Sequence, residues 1–201
     1  AFKALVQEGN VREVMCAYQR LDGEPCCGNN RLLQQILRNE WGYNGLVVSD
    51  CGAISDFWEK GHHEVDADQQ SSSAHAVRTG TDVECGSDYK SLPEAVNAGQ
   101  VSMEKVDTSV VRLLEARFTL GEFDGPDLVS WKRIGPEVIG SSAHRQLALD
   151  MARETMTLLQ NRKNILPLRR DLKIVVMGPN AVDSVALLAN YNGFPFSTVT
   201  L

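Results

Sequence analysis

Three short runs of apolar, largely β-branched residues punctuate the first half of the chain: Val11-Arg-Glu-Val-Met-Cys-Ala-Tyr18, Gly45-Leu-Val-Val-Ser49 and Thr81-Asp-Val-Glu-Cys85. Short apolar runs of this kind read as strands buried on both faces. Each run is followed by a polar or glycine-bearing loop and then by a helical stripe. Leu32, Leu33, Ile36 and Leu37 share one stripe behind an Asn29-Asn30 cap. Ala74, Ala76 and Val77 precede Gly80, a C-terminal stop. Val106, Val110, Leu113, Leu114 and Phe118 repeat at helical spacing behind Ser102, whose hydroxyl can accept amides of the first turn. Strand, loop and helix repeated in series predict an α/β fold, a parallel sheet covered by helices.

From Gly121 the pattern loses its periodicity. Gly121-Glu-Phe-Asp-Gly-Pro-Asp, Ser130-Trp-Lys-Arg-Ile-Gly-Pro and Gly140-Ser-Ser are turn-rich and read as a linker. Ser142 is expected to cap a helix whose inner face carries Leu147, Ala148, Met151, Ala152, Thr155, Leu158 and Leu159. A new strand, Leu172-Lys-Ile-Val-Val-Met177, closed by Gly178-Pro-Asn-Ala, would open a second α/β domain. The expected organisation is a first domain over residues 1–122, a linker over 123–141 and the beginning of a second domain over 142–201. Three strands are too few for a closed eight-stranded barrel, so a barrel reading makes this its last part. Both ends read as cuts through a longer protein, with the remainder of that chain needed to complete the fold.

Composition narrows the function classes. At 43% hydrophobic and 23% charged the chain is ordinary globular material, and a net charge of -6 gives no basic footprint for nucleic acid or an anionic membrane. No apolar run approaches the roughly 20 residues of a membrane span. The five cysteines form no Cys-x-x-Cys pair and stand at no zinc-ligand spacing with the four histidines, so neither a metal nor a cofactor is expected. They are either reduced and buried or joined in one or two disulfides made in an oxidising compartment.

In parallel α/β proteins reacting groups collect at the C-terminal ends of strands. Tyr18, Asp50 and Glu84 occupy those positions. Asp50 directly follows Leu-Val-Val-Ser, where a rigid strand positions it, but it also precedes a helical stretch near Ala53 and could merely cap it. Glu84 reads more simply as a strand-end cap than as a ligand contact.

The stretch Val14-Met-Cys-Ala-Tyr-Gln-Arg-Leu-Asp-Gly-Glu-Pro-Cys-Cys-Gly-Asn, with Leu32-Leu-Gln-Gln-Ile-Leu-Arg-Asn-Glu-Trp-Gly-Tyr-Asn-Gly-Leu-Val-Val-Ser-Asp50, closely resembles the glycoside hydrolases of family three. The likeness continues through Ala76-Val-Arg-Thr-Gly-Thr-Asp-Val-Glu-Cys, Val111-Arg-Leu-Leu-Glu-Ala-Arg-Phe, Leu147-Ala-Leu-Asp-Met-Ala-Arg-Glu and Val175-Val-Met-Gly-Pro-Asn-Ala to Asn190-Tyr-Asn-Gly. The resemblance implies the C-terminal part of a (β/α)8 TIM-type barrel followed by the start of an α/β sandwich domain. It implies a retaining exo-acting β-glycosidase in which Asp50 is the nucleophile and Tyr18 and Met15 line the sugar subsite. Family members acting on glucosides often carry Trp after the nucleophile. Cys51 stands there instead, with Cys85, as in the β-xylosidase branch, so a Cys51–Cys85 bridge at the subsite wall is implied, and Cys16 with Cys27 matches a second bridge of relatives. An oligosaccharide or aryl glycoside would be the substrate, with β-glucosidase, α-L-arabinofuranosidase and a non-catalytic carbohydrate-binding relic as alternatives. The upstream Lys-His pair and the acid/base Glu of the family lie outside this sequence, so the fragment is expected to be inactive alone. The resemblance places the parent enzyme in the periplasm or outside the cell.

Overall fold

A computed structural model describes residues 1–188, 190–195, 197, 198 and 200. Val199 and Leu201, in the expected second domain's closing segment, lie outside the described residues, as do Ala189 and Phe196. The chain divides into two compact units, Ala1–Val129 and Ser130–Leu201.

The first unit is built on parallel strand segments. After helix α1 (Phe2–Gln7), β1 (Glu13–Met15) pairs in parallel with β4 (Leu46–Val48), matching Glu13 with Leu46, Val14 with Val47 and Met15 with Val48. The third expected strand is reduced to a single parallel bridge, Val48 to Val83. Both pairings are shorter than the apolar runs that make them. Cys16 and Ser49 still donate backbone N–H groups to the neighbouring strand, at 3.0 and 2.9 Å, but beyond them side chains and turns take over the hydrogen bonding. Between β1 and β4 lies a small antiparallel hairpin, β2 (Arg20–Leu21) with β3 (Glu24–Pro25). Its turn is Asp22-Gly23, both at positive φ (55° and 89°), the left-handed pair that two-residue hairpins require.

The first predicted stripe is a helix wound in π geometry, Arg31–Glu40, and Asn29 is its cap: the Asn29 Oδ1 accepts the Leu32 N–H at 2.8 Å. Leu33 and Leu37 pack with Tyr43 and Val47, burying the inner face of β4. Helix α2 (Gln69–Thr79) starts at Asp68, whose carboxylate accepts from Ser71, and stops at Gly80 in the left-handed region (φ 107°). A short α3 (Leu92–Asn97), with Pro93 in its first turn, precedes α4 (Met103–Thr119), capped by Ser102. Ala74, Val77, Ala95 and Val101 form one buried cluster; Cys16, Cys27, Ala53, Ile54, Phe57 and Ala76 form another.

A buried ionic knot joins sheet and helices. Asp82 is 7% exposed and its carboxylate accepts from Arg38 at 2.7 Å, Arg112 at 2.8 Å, Ser109 at 3.1 Å and the Val47 N–H at 2.9 Å. Four charge-assisted bonds offset the cost of burying the carboxylate.

The second unit departs from expectation. Helix α5 (Ser142–Glu154) is capped by Ser141, not Ser142: the Ser141 Oγ accepts the His144 N–H at 3.3 Å. Its supposed inner face is open, with Leu147 and Met151 exposed, and Leu158 and Leu159 lie beyond its end. Leu172–Met177 is not a strand, and its Val175 and Met177 are exposed. A strand exists only by pairing, and this segment has no partner among the described residues.

Candidate active site

The three strand-end polar residues meet different fates. Glu84 is spent on structure: its two oxygens accept the Asp88 and Tyr89 N–H groups, both at 2.7 Å, closing the turn Asp88–Ser91. Burial raises its pKa against the pull of those two donors. Asp88 in turn accepts from Ser55 Oγ at 2.6 Å and from the Trp58 indole at 3.0 Å.

Asp50 is half-buried at the C-terminal end of β4, the strand flanked on both sides. Its Oδ1 accepts the Cys51 N–H at 2.7 Å. The turn that follows is closed by Ala53 N–H donating to the Asp50 main-chain carbonyl at 3.1 Å, rather than to the carboxylate. A capping aspartate accepts the amides two or three residues on; the turn does not use Asp50 in that way. Tyr18, 45% exposed, reaches over from the end of the first run and donates its hydroxyl to the Cys51 carbonyl at 2.6 Å. Met15, at the end of β1, is 59% exposed.

Cys51 is bridged to Cys85 and Cys16 to Cys27, with Cα atoms 4.4 and 5.1 Å apart; Cys26 is a buried free thiol whose pKa burial raises. Tyr18, Asp50, Cys51 and Cys85 are therefore linked by one hydrogen-bond and disulfide framework at the strand ends. Residues that the sequence reading passed over also join it. Ser49, 1% exposed, accepts the Cys85 N–H on its Oγ at 3.0 Å. His63 shares a 2.7 Å hydrogen bond between Nε2 and the Tyr18 carbonyl, and Arg20 donates to the His63 carbonyl at 3.5 Å. A serine that closes the apolar run Leu46-Val47-Val48 is a sequence signal for a buried hydrogen bond. Nothing around His63 marks its contact, 45 positions away. Among the described residues no group of side chains could hold a metal ion, and no helix is long and apolar enough to cross a membrane.

Residues 1–116 match the glycosyl hydrolase family 3 N terminal domain. The chain belongs to that family. The chain is 56% identical over 204 residues to a xylan 1,4-beta-xylosidase of Xylanibacter ruminicola, covering all of this chain and 24% of that protein. Among solved structures, a family 3 exo-beta-xylosidase in complex with a xylobiose aziridine activity-based probe superposes with a TM-score of 0.77 at 31% identity, over 86% of this chain and 22% of that one. A beta-glucosidase from Listeria innocua in complex with isofagomine gives 0.81 at 26% identity, over 96% and 26%. The chain spans about a quarter of the length of these relatives.

Proposed function

We propose that these residues form the nucleophile-bearing part of a retaining, exo-acting β-glycosidase of the xylosidase kind, cleaving pentosides from the non-reducing ends of plant-polysaccharide oligosaccharides. The observation that carries the reading is Asp50 at the end of the central parallel strand, its carboxylate on the Cys51 N–H and its neighbour held by Tyr18 and Cys85. An ionised carboxylate attacks the anomeric carbon, the leaving oxygen takes a proton, and water then releases the sugar from the covalent ester. Such chemistry needs a second carboxyl about 5–5.5 Å from the first. Glu84 is committed to the Asp88 and Tyr89 amides, so the acid/base is assigned to a part of the enzyme outside this sequence.

The strands follow one another in chain order, 13–15 beside 46–48 beside 83, without the reversal of a doubly wound sheet. This supports reading residues 1–122 as the closing portion of a (β/α)8 barrel, 123–141 as a linker and 142–201 as the start of an α/β sandwich. Two disulfides favour an oxidising compartment, periplasmic or extracellular. Xylose lacks the hydroxymethyl arm of glucose, and a disulfide beside the nucleophile is compatible with a small pentose subsite.

The test is covalent. The complete enzyme, treated with an aziridine probe of xylobiose and digested, should carry the label on the peptide containing Asp50. Label on another carboxylate of an enzyme that the probe inactivates would reject the assignment. Parallel assays on aryl xyloside, glucoside and arabinofuranoside decide the sugar: xyloside should be preferred, and a glucoside preference overturns the branch.

A further inference from the structure

The loop that carries Asp50 is fastened to the neighbouring strand end more heavily than folding of a turn requires. Ser49 N–H donates to the Val83 carbonyl at 2.9 Å, Cys85 N–H donates to Ser49 Oγ at 3.0 Å, and Gly52 N–H donates to the Cys85 carbonyl at 2.7 Å. The Cys51–Cys85 disulfide adds a covalent link between the same two segments. Thus Ser49, Cys51 and Gly52 are each tied to residues 83–85, and Asp50 is the one residue of the four with no link of its own to that segment. The strap of residues 83–85 is itself anchored, because Glu84 accepts two amides of the next turn. Further along, Ser55 and Trp58 fasten the same loop to Asp88 of that turn.

From this geometry we infer that Ser49 and the Cys51–Cys85 disulfide are positioning residues for the nucleophile; the inference rests on the reading of Asp50 given above. The physical case is one of freedom removed. A residue at a strand end has two soft backbone dihedrals, and a carboxylate that swings about an ångström from its line of attack loses about a hundredfold in rate. With both flanking peptides fixed, Asp50 keeps little beyond its own side-chain torsions, and the Cys51 N–H restrains those. Ser49 is 1% exposed, where an alanine would pack equally well and would leave the Cys85 N–H without its acceptor. Its hydroxyl is therefore explained by the clamp and not by space-filling. Neither group reaches the reacting atoms through these bonds, so losing either should lower turnover; loss of the buried Ser49 hydroxyl should leave ground-state binding nearly intact, whereas the disulfide also stands beside the sugar subsite and its loss acts on binding too.

The experiment uses the complete enzyme with an aryl xyloside, below the melting temperature of every variant. Ser49→Ala and the double substitution Cys51→Ala with Cys85→Ala should each lower kcat by about ten- to a hundredfold, and in Ser49→Ala KM should stay within about threefold of the parent. Ser49→Thr, which restores the oxygen, should recover most of the lost kcat. Removing the other bridge, Cys16→Ala with Cys27→Ala, should lower the melting temperature and leave kcat near that of the parent. Parent-like kcat in both clamp variants overturns the inference, as does an equal kcat loss in the Cys16/Cys27 variant, which would mean general loosening. If the Cys51/Cys85 variant fails to fold, the Cys16→Ala, Cys27→Ala variant, whose one remaining bridge is Cys51–Cys85, supplies the same comparison when assayed oxidised and after reduction by dithiothreitol, with its native circular dichroism verified. Asp50→Asn separates the two claims: an active Asp50→Asn enzyme rejects the nucleophile reading, whereas an inactive one beside fully active clamp variants rejects the clamp alone.

Discussion

At the scale of single residues, burial sorts the carboxylates more clearly than their neighbours along the chain do. Asp82, Glu84 and Asp50 all stand in or beside an apolar run, yet Asp82 faces two guanidinium groups, Glu84 two amides and Asp50 the turn bearing Cys51. Replacing Asp82 with Ala would leave Arg38, itself almost fully buried, without its counter-ion. The loss should be about 3–5 kcal/mol, read from urea unfolding; a loss below about 1 kcal/mol would show the knot to be dispensable. Tyr43 supplies a pH test. Burial pushes its phenol up to about 12 while its hydroxyl donates to the Leu46 carbonyl at 2.7 Å. An unfolded tyrosine ionises near about 10. Below that pH both states hold the proton and the contribution is intact; between about 10 and 12 only the unfolded chain gives it up, so stability falls as pH rises through that window. A denaturation midpoint that stays flat across it would contradict the burial of Tyr43.

At the scale of elements, the helix boundaries were written locally and the strand lengths were not. Asn29, Ser102 and Gly80 perform the capping roles that their chemistry announces, because a cap needs only its own first or last turn. Gly80→Ala should cost at least about 1–2 kcal/mol: its φ is 107°, and an added Cβ would come within 2.1 Å of the Gln34 Nε2 that donates to the Thr79 carbonyl. Thermal unfolding of that variant checks it. The hairpin turn at Asp22-Gly23 and the start of α3 at Pro93 are equally local signals. The cysteines give a direct count. With Cys16–Cys27 and Cys51–Cys85 closed, denaturation without reductant should expose one reactive thiol, that of Cys26, and reduction should then cost stability; five thiols before reduction would remove both bridges.

At the scale of the molecule, the first unit presents a sheet of three strand positions with β1 at one edge and Val83 at the other. Phe118 and Leu120 at the end of α4 lie exposed beside a cavity of about 450 Å³ floored by Gly45 and Leu46. In the second unit Leu147, Leu149, Met151 and Val175 are open to solvent. Open edges and unburied apolar side chains drive association. The 201-residue chain expressed alone should therefore elute as aggregates or oligomers and melt without a cooperative transition; a monodisperse monomer with a sharp melt would refute this. It should also show no glycosidase activity, measured on aryl xyloside against the complete enzyme.

The sequence by itself determined what depends on neighbours within a few positions: the helical stripes, their caps, the apolar strand cores and the motif that places Asp50 after Leu-Val-Val-Ser. It also carried the family, because a long ordered match needs no coordinates. Pairing partners decided the rest. Only the tertiary structure shows that Ser49 and Gly52 are fastened to Cys85, that Tyr18 braces Cys51 and is held by His63, and that Glu84 is occupied. It also leaves Leu172–Met177 without a strand partner among the described residues, despite its apolar run. Side-chain pattern sets what a segment can bury, but a strand or a strand-end site is completed by groups 33 to 45 positions away, which the chain brings near only when it folds.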